Sequence, residues 1–428
     1  MPSRRAARQL LERAKHAFRR VEPPCPAFGV CGGCHLQDLT YDDQLALKRA
    51  ALLEALQPLG VVPAIDLVGL DDPWRYRSKM EFTFGEQDGR LVLGLHQQGS
   101  FWRIVDLEDC HLVPRTMSAV LVSARALARD AGLPAYNPRT HVGFFRHLIL
   151  RQSRATGRVL VCLVTAEGDR AGHPARGGVG EIVPGAVGAG GDRAVVERWM
   201  EQLLARHPEI AGGYWGINRK RADVAIPDEL HLVRGAPHVE ERLGPFRVLL
   251  APLTFLQPSA VQAERIYEEI RATAQFYRAG LAWDLYCGVG LVSFYLASRA
   301  TRVLGIEVDE RNLEAARAAA AANGITNVEF RAGKVEDLLA SSAAGTLPRP
   351  GVIVIDPPRS GVHHHVIRGL AASGASQLFY LSCNAQTLCR DLLLLRQAAP
   401  AYRLVAVKAF DMFPQTTHVE TLVRLERE

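Results

Sequence analysis

Short apolar runs separated by amphipathic segments fill the second half of the chain, from about Ala251 onward. The runs have the length of buried strands, and the longer segments between them have the spacing of helices. The predicted strands cover 281–285, 303–307, 328–331, 352–355 and 378–382. This repeated alternation of strand and helix predicts an α/β domain with a doubly wound, mostly parallel sheet.

The first half of the chain has more strand-like patterns and fewer helical ones. Helices are predicted over 41–59, where leucines fall near one face, and over 193–206. The predicted strands cover 74–82, 91–95, 144–150, 159–164 and 239–250, and a loop rich in glycine, alanine and proline covers 167–192. We therefore predict a mostly β central domain within 25–250, followed by the α/β domain over 251–428.

One predicted strand, Trp74-Arg-Tyr-Arg-Ser-Lys-Met-Glu-Phe82, alternates cations with aromatic or apolar residues. Side chains of a strand point to alternate faces, so the cations would share one face and the aromatics the other. Two interpretations stay open: the basic face contacts nucleic-acid phosphates, or it faces only water.

Composition places the chain among globular proteins, because 48% of its 428 residues are hydrophobic and 22% are charged. No apolar run is long enough to span a membrane, and the first twenty residues lack the apolar core of a secretory signal. We therefore expect a cytoplasmic protein without a membrane partner. The formal net charge of +6 favours an anionic partner.

Residues 1–24 form a basic arm that ends at Pro23-Pro24. Its cations are Arg4, Arg5, Arg8, Arg13, Lys15, Arg19 and Arg20. A solvated basic helix and an arm that contacts phosphates are both compatible with this pattern.

Three of the eight cysteines lie close together in Cys25-Pro-Ala-Phe-Gly-Val-Cys31-Gly-Gly-Cys34. In a chain without a secretory signal, clustered cysteines indicate metal ligands or catalytic thiols rather than disulfides. The glycines allow the tight turn that thiolates on one metal centre need, and Cys110 is the best candidate for a fourth ligand. Three close cysteines plus a distant one fit a [4Fe–4S] cluster better than zinc, which usually uses two close pairs.

A glycine loop, Gly288-Val-Gly290, follows the predicted strand 281–285, and the next predicted strand ends in Glu307. In Rossmann-like sheets, an acid about 20 residues after such a loop binds ribose hydroxyls. The third glycine of the dinucleotide fingerprint is missing, which favours a nucleoside without a pyrophosphate. S-adenosylmethionine fits this site, because it has a ribose and a sulfonium that tolerates a nearby carboxylate such as Asp284.

The predicted strand 352–355 runs into Asp356-Pro-Pro-Arg359, where two prolines hold the backbone rigid. A flat substrate could lie against this turn, and the alternative is a turn that only ends the strand. The five predicted features of this half, taken in order, favour the first interpretation.

The predicted strand 378–382 ends in Ser382-Cys383-Asn384. The thiol thus lies at the carboxyl end of a strand, where ligands bind in open α/β sheets. The alternative is a small apolar side chain, because a free cysteine is usually a buried hydrophobe. The nucleoside loop and Asp356 favour a covalent nucleophile, whereas Cys287 and Cys389 are interpreted as structural.

Six stretches together resemble the bacterial RNA 5-methyluridine methyltransferases, and especially their iron–sulfur ribosomal RNA members. The stretches span nearly the whole chain and are 25–34, Phe255-Leu-Gln257, 284–290, Asp356-Pro-Pro-Arg359, Ser382-Cys383-Asn384 and 411–420. Only 24 residues precede Cys25, so we expect the form that lacks an N-terminal oligonucleotide-binding barrel. The resemblance also implies that 43–74 packs on the catalytic domain.

The resemblance implies a class I S-adenosylmethionine-dependent methyltransferase that acts on a uridine of 23S ribosomal RNA and works as a monomer. It implies Cys383 as the nucleophile and Glu420 as the base. It implies Gln257, Tyr286, Glu307 and Asp356 as cofactor- or substrate-site residues, and a [4Fe–4S] cluster on Cys25, Cys31, Cys34 and Cys110. The alternatives are the same chemistry on transfer RNA and a non-catalytic iron–sulfur RNA-binding protein.

Overall fold

Two large sheets organise the part of the chain that the computed structural model describes, which comprises residues 17–167, 189–276, 280–343 and 347–428. The strands are β1 (Ile65–Val68), β2 (Lys79–Gln87), β3 (Arg90–His96), β4 (Ile104–Asp106), β5 (Phe145–Gln152), β6 (Val159–Thr165), β7 (Ile210–Ile217), β8 (Glu229–Gly235), β9 (Val239–Leu243), β10 (Phe246–Leu250), β11 (Leu281–Leu285), β12 (Arg302–Glu307), β13 (Val328–Ala332), β14 (Val352–Ile355), β15 (Gln377–Ser382), β16 (Tyr402–Phe410) and β17 (Glu420–Arg427). The α-helices are Tyr41–Leu56, Arg115–Asp130, Ala189–Arg206, Ala260–Thr273, Leu291–Ala297, Glu310–Ala322, Val335–Ala343, His364–Ser373 and Ala385–Ala398.

The first sheet has seven strands in the order β4-β3-β2-β5-β6-β7-β8. Neighbouring strands are antiparallel except β6 and β7, which are parallel. Every residue of β5 and β6 is buried, which requires that both faces of the sheet be covered. The helices Arg115–Asp130 and Ala189–Arg206 cover one face. On the other face, Ile149 and Cys162 enter a core that continues into the second sheet.

The second sheet has eight strands in the order β1-β16-β17-β15-β14-β11-β12-β13. From β15 through β14, β11 and β12 to β13, each strand is parallel to the next one. β17 lies between β15 and β16 and is antiparallel to both. The carboxyl ends of β11, β12, β14 and β15 therefore meet at one edge. This arrangement confirms the predicted Rossmann-like, doubly wound α/β fold.

Part of the first half of the chain packs on this second sheet. β1 pairs in parallel with β16 at the edge of the sheet. Leu52 and Leu56, near the end of the helix Tyr41–Leu56, share a core with Leu392 and Leu395 of the helix Ala385–Ala398. Their burial against the second sheet anchors the segment that follows the cysteine-rich loop.

The predicted strand over 74–82 is wrong in its first half, because β2 begins only at Lys79. Arg75 has a φ of 54°, which a strand does not allow, and its guanidinium binds Asp109 and the carbonyl oxygen of Cys110. The alternation of cations and aromatics therefore marks a turn that is held by specific hydrogen bonds.

Two predicted segments fall largely outside the described residues: the basic arm, of which 1–16 are not described, and the loop over 167–192, of which 168–188 are not described. The helix after this loop begins at Ala189 and not at 193. None of the helices in the described ranges is long and apolar enough to cross a membrane.

Candidate active site

The glycine loop after β11 turns sharply between the strand and the helix Leu291–Ala297. Tyr286 and Gly290 have positive φ values of 63° and 80°. A Cβ on Gly290 would lie 2.5 Å from Cζ of Phe330, so glycine is required there by space as well as by φ. The positive φ of Tyr286 is unfavourable for a residue with a side chain, and backbone strain of this kind concentrates at functional sites.

Glu307, the last residue of β12, supports this loop from the neighbouring strand. Its Oε2 accepts a hydrogen bond of 3.1 Å from the N–H of Gly288. Its Oε1 accepts bonds of 2.8 and 2.9 Å from the N–H groups of Val308 and Asp309. The carboxylate is thus held firmly at the edge of the loop, and its Oε2 can still accept another hydrogen bond.

A cleft lies beside the loop and is lined by side chains from three separate segments. The polar ones are Gln257, Tyr267, Asp284, Tyr286 and Asp356. These include three of the four predicted cofactor residues, and the fourth, Glu307, reaches the backbone of the loop. Phe255 also lines the cleft, and it is 58% exposed.

Two carboxyl groups, the buried Asp284 and the partly buried Asp356, give this cleft its electrostatic character. Ser293 donates a hydrogen bond of 2.6 Å to Asp284, and Gln257 donates one of 3.2 Å to Asp356. Burial raises the pKa of Asp284 to about 7. Burial and then the charge of Asp284 raise the pKa of Asp356 to about 7. Such a site favours a cationic ligand, because a positive charge would stabilise both carboxylates.

The candidate nucleophile, Cys383, lies one residue beyond β15 and is partly buried. The next residue, Asn384, caps the helix Ala385–Ala398 and donates to the carbonyl oxygen of Arg359, 3.2 Å away. Burial and then the charge of Glu420 raise the pKa of the Cys383 thiol to about 11, and Arg359 acts in the opposite direction. A thiol with this pKa is protonated at neutral pH.

Glu420, the candidate base, is the first residue of β17 and is 2% exposed. Thr421 is paired with Ser382 across β15 and β17, so the antiparallel register brings Glu420 beside Cys383. Burial and then the charge of Asp356 raise its pKa well above the ordinary value, whereas Arg359 lowers it. Cys383, Glu420, Asp356 and Arg359 thus form one electrostatically connected group.

A second pocket brings together the four cysteines that were predicted as cluster ligands. Cys25, Cys31, Cys34 and Cys110 line it together with apolar side chains, and all four are free thiols. Burial raises the pKa of Cys31 to about 11 and that of Cys34 to about 12. Four thiols that line one pocket are suited to a metal centre, because a bound metal would stabilise the thiolates that burial disfavours.

Comparisons with known proteins agree with this geometry. The family model for tRNA (uracil-5-)-methyltransferase matches residues 349–428, and a model of a methyltransferase domain matches residues 282–346. An uncharacterized RNA methyltransferase from Nitratidesulfovibrio vulgaris is 34% identical, over 96% of this chain and 84% of the relative. Another from Halalkalibacterium halodurans is 31% identical, over 95% of this chain and 84% of the relative.

The chain belongs to the S-adenosylmethionine-dependent RNA uracil-5 methyltransferase family. Among solved structures, the tRNA (uracil-54, C5)-methyltransferase of Pyrococcus abyssi has a similar fold, with a TM-score of 0.71 and 24% identity. That similarity covers 93% of this chain and 86% of the archaeal one, so the two proteins share both sheets' overall arrangement. The family models and the RNA methyltransferase relatives confirm the predicted family, whereas the ribosomal target and the iron–sulfur cluster stay predictions.

Arg359 is a functional candidate of this methyltransferase that the sequence analysis did not assign to a role. It follows the double proline after Asp356, and it influences the pKa of both Cys383 and Glu420. The sequence signal that could have identified it is its place in the motif Asp356-Pro-Pro-Arg359, three residues after a predicted site residue. A cation next to a thiol and a carboxyl group favours the charged form of each.

The loop that leads to Glu420 is held by contacts that the sequence did not reveal. Lys48 donates to Asp411 at 2.6 Å, and both side chains are completely buried. Tyr41 also donates to Asp411, at 3.0 Å. The backbone N–H of His35, next to Cys34, donates to the carbonyl oxygen of Gln415. The loop before Glu420 is therefore attached to the cysteine-rich segment.

Proposed function

We propose that this methyltransferase transfers a methyl group from S-adenosylmethionine to C5 of a uridine in 23S ribosomal RNA, through a covalent bond between Cys383 and C6. The observation that carries the proposal is the strand register that sets Glu420 beside Cys383, at the edge where the cofactor cleft also opens. A non-catalytic RNA-binding protein would not need this group of ionisable side chains with mutually perturbed pKa values.

The chemistry requires a nucleophile, because C5 of uracil reacts poorly with a methyl group. Addition of the Cys383 thiolate to C6 converts the ring to an enolate and makes C5 nucleophilic. C5 then takes the methyl group. Glu420 removes the C5 proton, the C5–C6 double bond forms again, and the thiolate leaves.

The charges of the site control when these residues become reactive. Burial raises the pKa of both Cys383 and Glu420 and so favours their neutral forms, whereas the charge of Arg359 lowers both pKa values. When bound, S-adenosylmethionine supplies the methyl group and a positive charge. A cation near Asp356 would weaken the repulsion that this carboxylate exerts on Glu420, and so favour the ionised forms.

We assign the cofactor cleft to Gln257, Tyr286, Glu307 and Asp356. Glu307 has an acceptor position left for a ribose hydroxyl, as is usual for a strand-terminal acid in this fold. The structure of the related Pyrococcus abyssi enzyme holds S-adenosyl-L-homocysteine, the product of such a donor, which supports this assignment. The target uridine must leave its stack to reach Cys383, and the exposed ring of Phe255 offers a surface to receive it.

We further propose that Cys25, Cys31, Cys34 and Cys110 hold a [4Fe–4S] cluster. The four thiols line one pocket, with three of them from a single ten-residue stretch and the fourth from Cys110. Three close cysteines and a distant one fit a [4Fe–4S] cluster better than the two close pairs that zinc usually uses. Such a cluster would brace the surrounding loops.

The protein purified without oxygen should contain about four iron and four sulfide ions per chain. The Cys34→Ala protein should lose most of both, because one of the four ligands is missing. The matched control is Cys389→Ala, which removes a buried thiol in the helix Ala385–Ala398 and should leave the metal content unchanged. Stoichiometric zinc in place of iron would contradict the cluster assignment.

The target RNA is open to a direct test, because both the matching family model and the archaeal relative are named for transfer RNA. Purified protein and labelled S-adenosylmethionine should methylate unmodified 23S ribosomal RNA. Mass spectrometry of the digested RNA should then find 5-methyluridine. Label in transfer RNA alone would favour the alternative target, and the absence of 5-methyluridine from both RNAs would contradict the proposed reaction.

A further inference from the structure

A third cleft, of about 180 Å³, lies in the domain of the seven-stranded sheet and shares no lining residue with the cofactor cleft or the cysteine pocket. We call it the aromatic cleft and define it by Phe101, Trp102, Tyr136, Arg139, Arg146 and Asp223. A cleft of this volume admits a small planar group.

Two of its walls combine aromatic rings with arginines. The guanidinium of Arg139 lies 4.5 Å from the ring centroid of Trp102, and that of Arg146 lies 4.0 Å from the ring centroid of Tyr136. Phe101 is 61% exposed and Trp102 is 52% exposed, so both rings present surface to solvent. Proteins bind unpaired nucleobases by stacking them on aromatic rings and on guanidinium planes of this kind.

The cleft also contains a fixed hydrogen-bond acceptor. The Nε2 atoms of His147 and His96 lie 3.2 and 3.5 Å from the carboxylate of Asp223. The guanidinium of Arg146 donates to the carbonyl oxygens of Asn218, Lys220 and Ala222, which holds the loop that carries Asp223. A carboxylate held in this way can accept a hydrogen bond from an N–H group on the edge of a nucleobase.

Two exposed cations are neighbours in sequence of residues that line the cleft. Arg103 follows Trp102 directly, and Arg221 lies two residues before Asp223. Cations at the rim suit the phosphates on either side of a bound base, because phosphate contacts provide much of the affinity for RNA.

We propose that the aromatic cleft binds one unpaired nucleobase of the RNA substrate, at a position other than the uridine that reacts with Cys383. The proposal rests on the proposed function, in that the bound nucleic acid is the RNA to be methylated. The base stacks on the exposed rings and donates to Asp223. Recognition of a second base would let the enzyme select an RNA by its fold, which the single reacting uridine does not specify.

The hairpin that carries the two exposed rings is attached to the cysteine-rich loop. The N–H of Gly32 donates to the carbonyl oxygen of His96 at 2.9 Å, and that of Gln98 donates to Val30 at 2.8 Å. A metal centre on the cysteines would therefore brace one wall of the aromatic cleft. For this reason, the test uses side-chain variants of the hairpin and leaves the cysteine-rich loop intact.

The test measures binding of a fluorescein-labelled, single-stranded RNA 12-mer of random sequence to the full-length protein. The Trp102→Ala protein should bind it about tenfold more weakly, which is the loss expected for one stacked base. The Trp102→Phe protein should keep most of the affinity, because a smaller ring still stacks. The matched control is Leu53→Ala, which removes an exposed apolar side chain from the helix Tyr41–Leu56.

A duplex RNA of the same length separates stacking from charge. Its bases are paired and unavailable, so Trp102→Ala should leave its affinity unchanged. Equal affinity of the wild-type and Trp102→Ala proteins for single-stranded RNA would overturn the proposal. An equal loss for single strand and duplex would also overturn it, because the variant would then have changed the protein surface in general.

Ultraviolet crosslinking keeps this test independent of the catalytic proposal. In the Cys383→Ala protein, single-stranded RNA should crosslink to the peptide that contains Phe101 and Trp102. This result is expected whether or not Cys383 is the nucleophile. Crosslinks at Phe255 alone would overturn the second base site and leave the proposed methyl transfer in place.

Discussion

The Cys383→Ala protein should form no adduct with RNA that contains 5-fluorouridine, and its methyl transfer should fall by on the order of 10⁴-fold or more. Without the thiolate, C6 receives no electron pair and C5 stays a poor nucleophile, so no other group at the site can compensate. The wild-type protein with S-adenosylmethionine should give an adduct that survives a denaturing gel. Fluorine at C5 cannot be removed as a proton, which blocks the elimination that would release Cys383.

The matched control for this prediction is Cys389→Ala. Cys389 is also a free thiol in the same region of the chain, but it is buried in the helix Ala385–Ala398, and its loss should leave the adduct unchanged. Binding of the RNA to the Cys383→Ala protein should stay close to that of the wild type. An adduct that still forms in the Cys383→Ala protein would show that the nucleophile is another residue.

The Glu420→Gln protein should stop after methyl transfer and stay bound to its product. Glutamine has nearly the same size as glutamate and fits this buried position, but it cannot take the C5 proton. Turnover should therefore fall by about 10²- to 10⁴-fold. One S-adenosylhomocysteine per active site should form in a burst, and a covalent adduct with ordinary uridine RNA should accumulate on denaturing gels.

The matched control is Glu426→Gln, which changes a more exposed glutamate on the same strand and should leave turnover unchanged.

The unfolding temperature of the Glu420→Gln protein provides a second control. Because burial raises the pKa of Glu420 well above its ordinary value, the ionised form costs folding free energy at neutral pH. The Glu420→Gln protein should therefore unfold at the same temperature as the wild type or at a higher one. A variant that gives no burst would assign Glu420 to an earlier step, the activation of Cys383.

Much of the second sheet follows from local patterns in the sequence. The apolar runs in the sequence correspond to the strands β11, β12, β14 and β15. β12 ends at Glu307, β14 is followed by Asp356, and β15 is followed by Cys383. Parallel strands of one sheet have their carboxyl ends at the same edge, so strand order along the chain already predicts a shared site. The placement of Glu307, Asp356 and Cys383 at one edge of the sheet could therefore be predicted from the sequence.

Other features could not be derived in this way. The alternation over 74–82 suggested a strand, but Arg75 instead turns towards Asp109 and the backbone of Cys110. Here specific hydrogen bonds with a segment more than 30 residues away outweigh the local propensity. The aromatic cleft could not be derived from the sequence either, because its lining residues come from four separate segments of the chain.

The family, the parallel strands and the strand-end residues can be read from the sequence, because they depend on motifs and on runs of neighbouring residues. The antiparallel position of β17 between β15 and β16, which brings Glu420 beside Cys383, depends instead on how distant parts of the chain pack. Only the tertiary structure paired Lys48 with Asp411, two residues separated by most of the chain. A buried charge is stable only beside a group of opposite charge, because its removal from water is otherwise too unfavourable. Which residue provides that opposite charge depends on the packing of the whole fold.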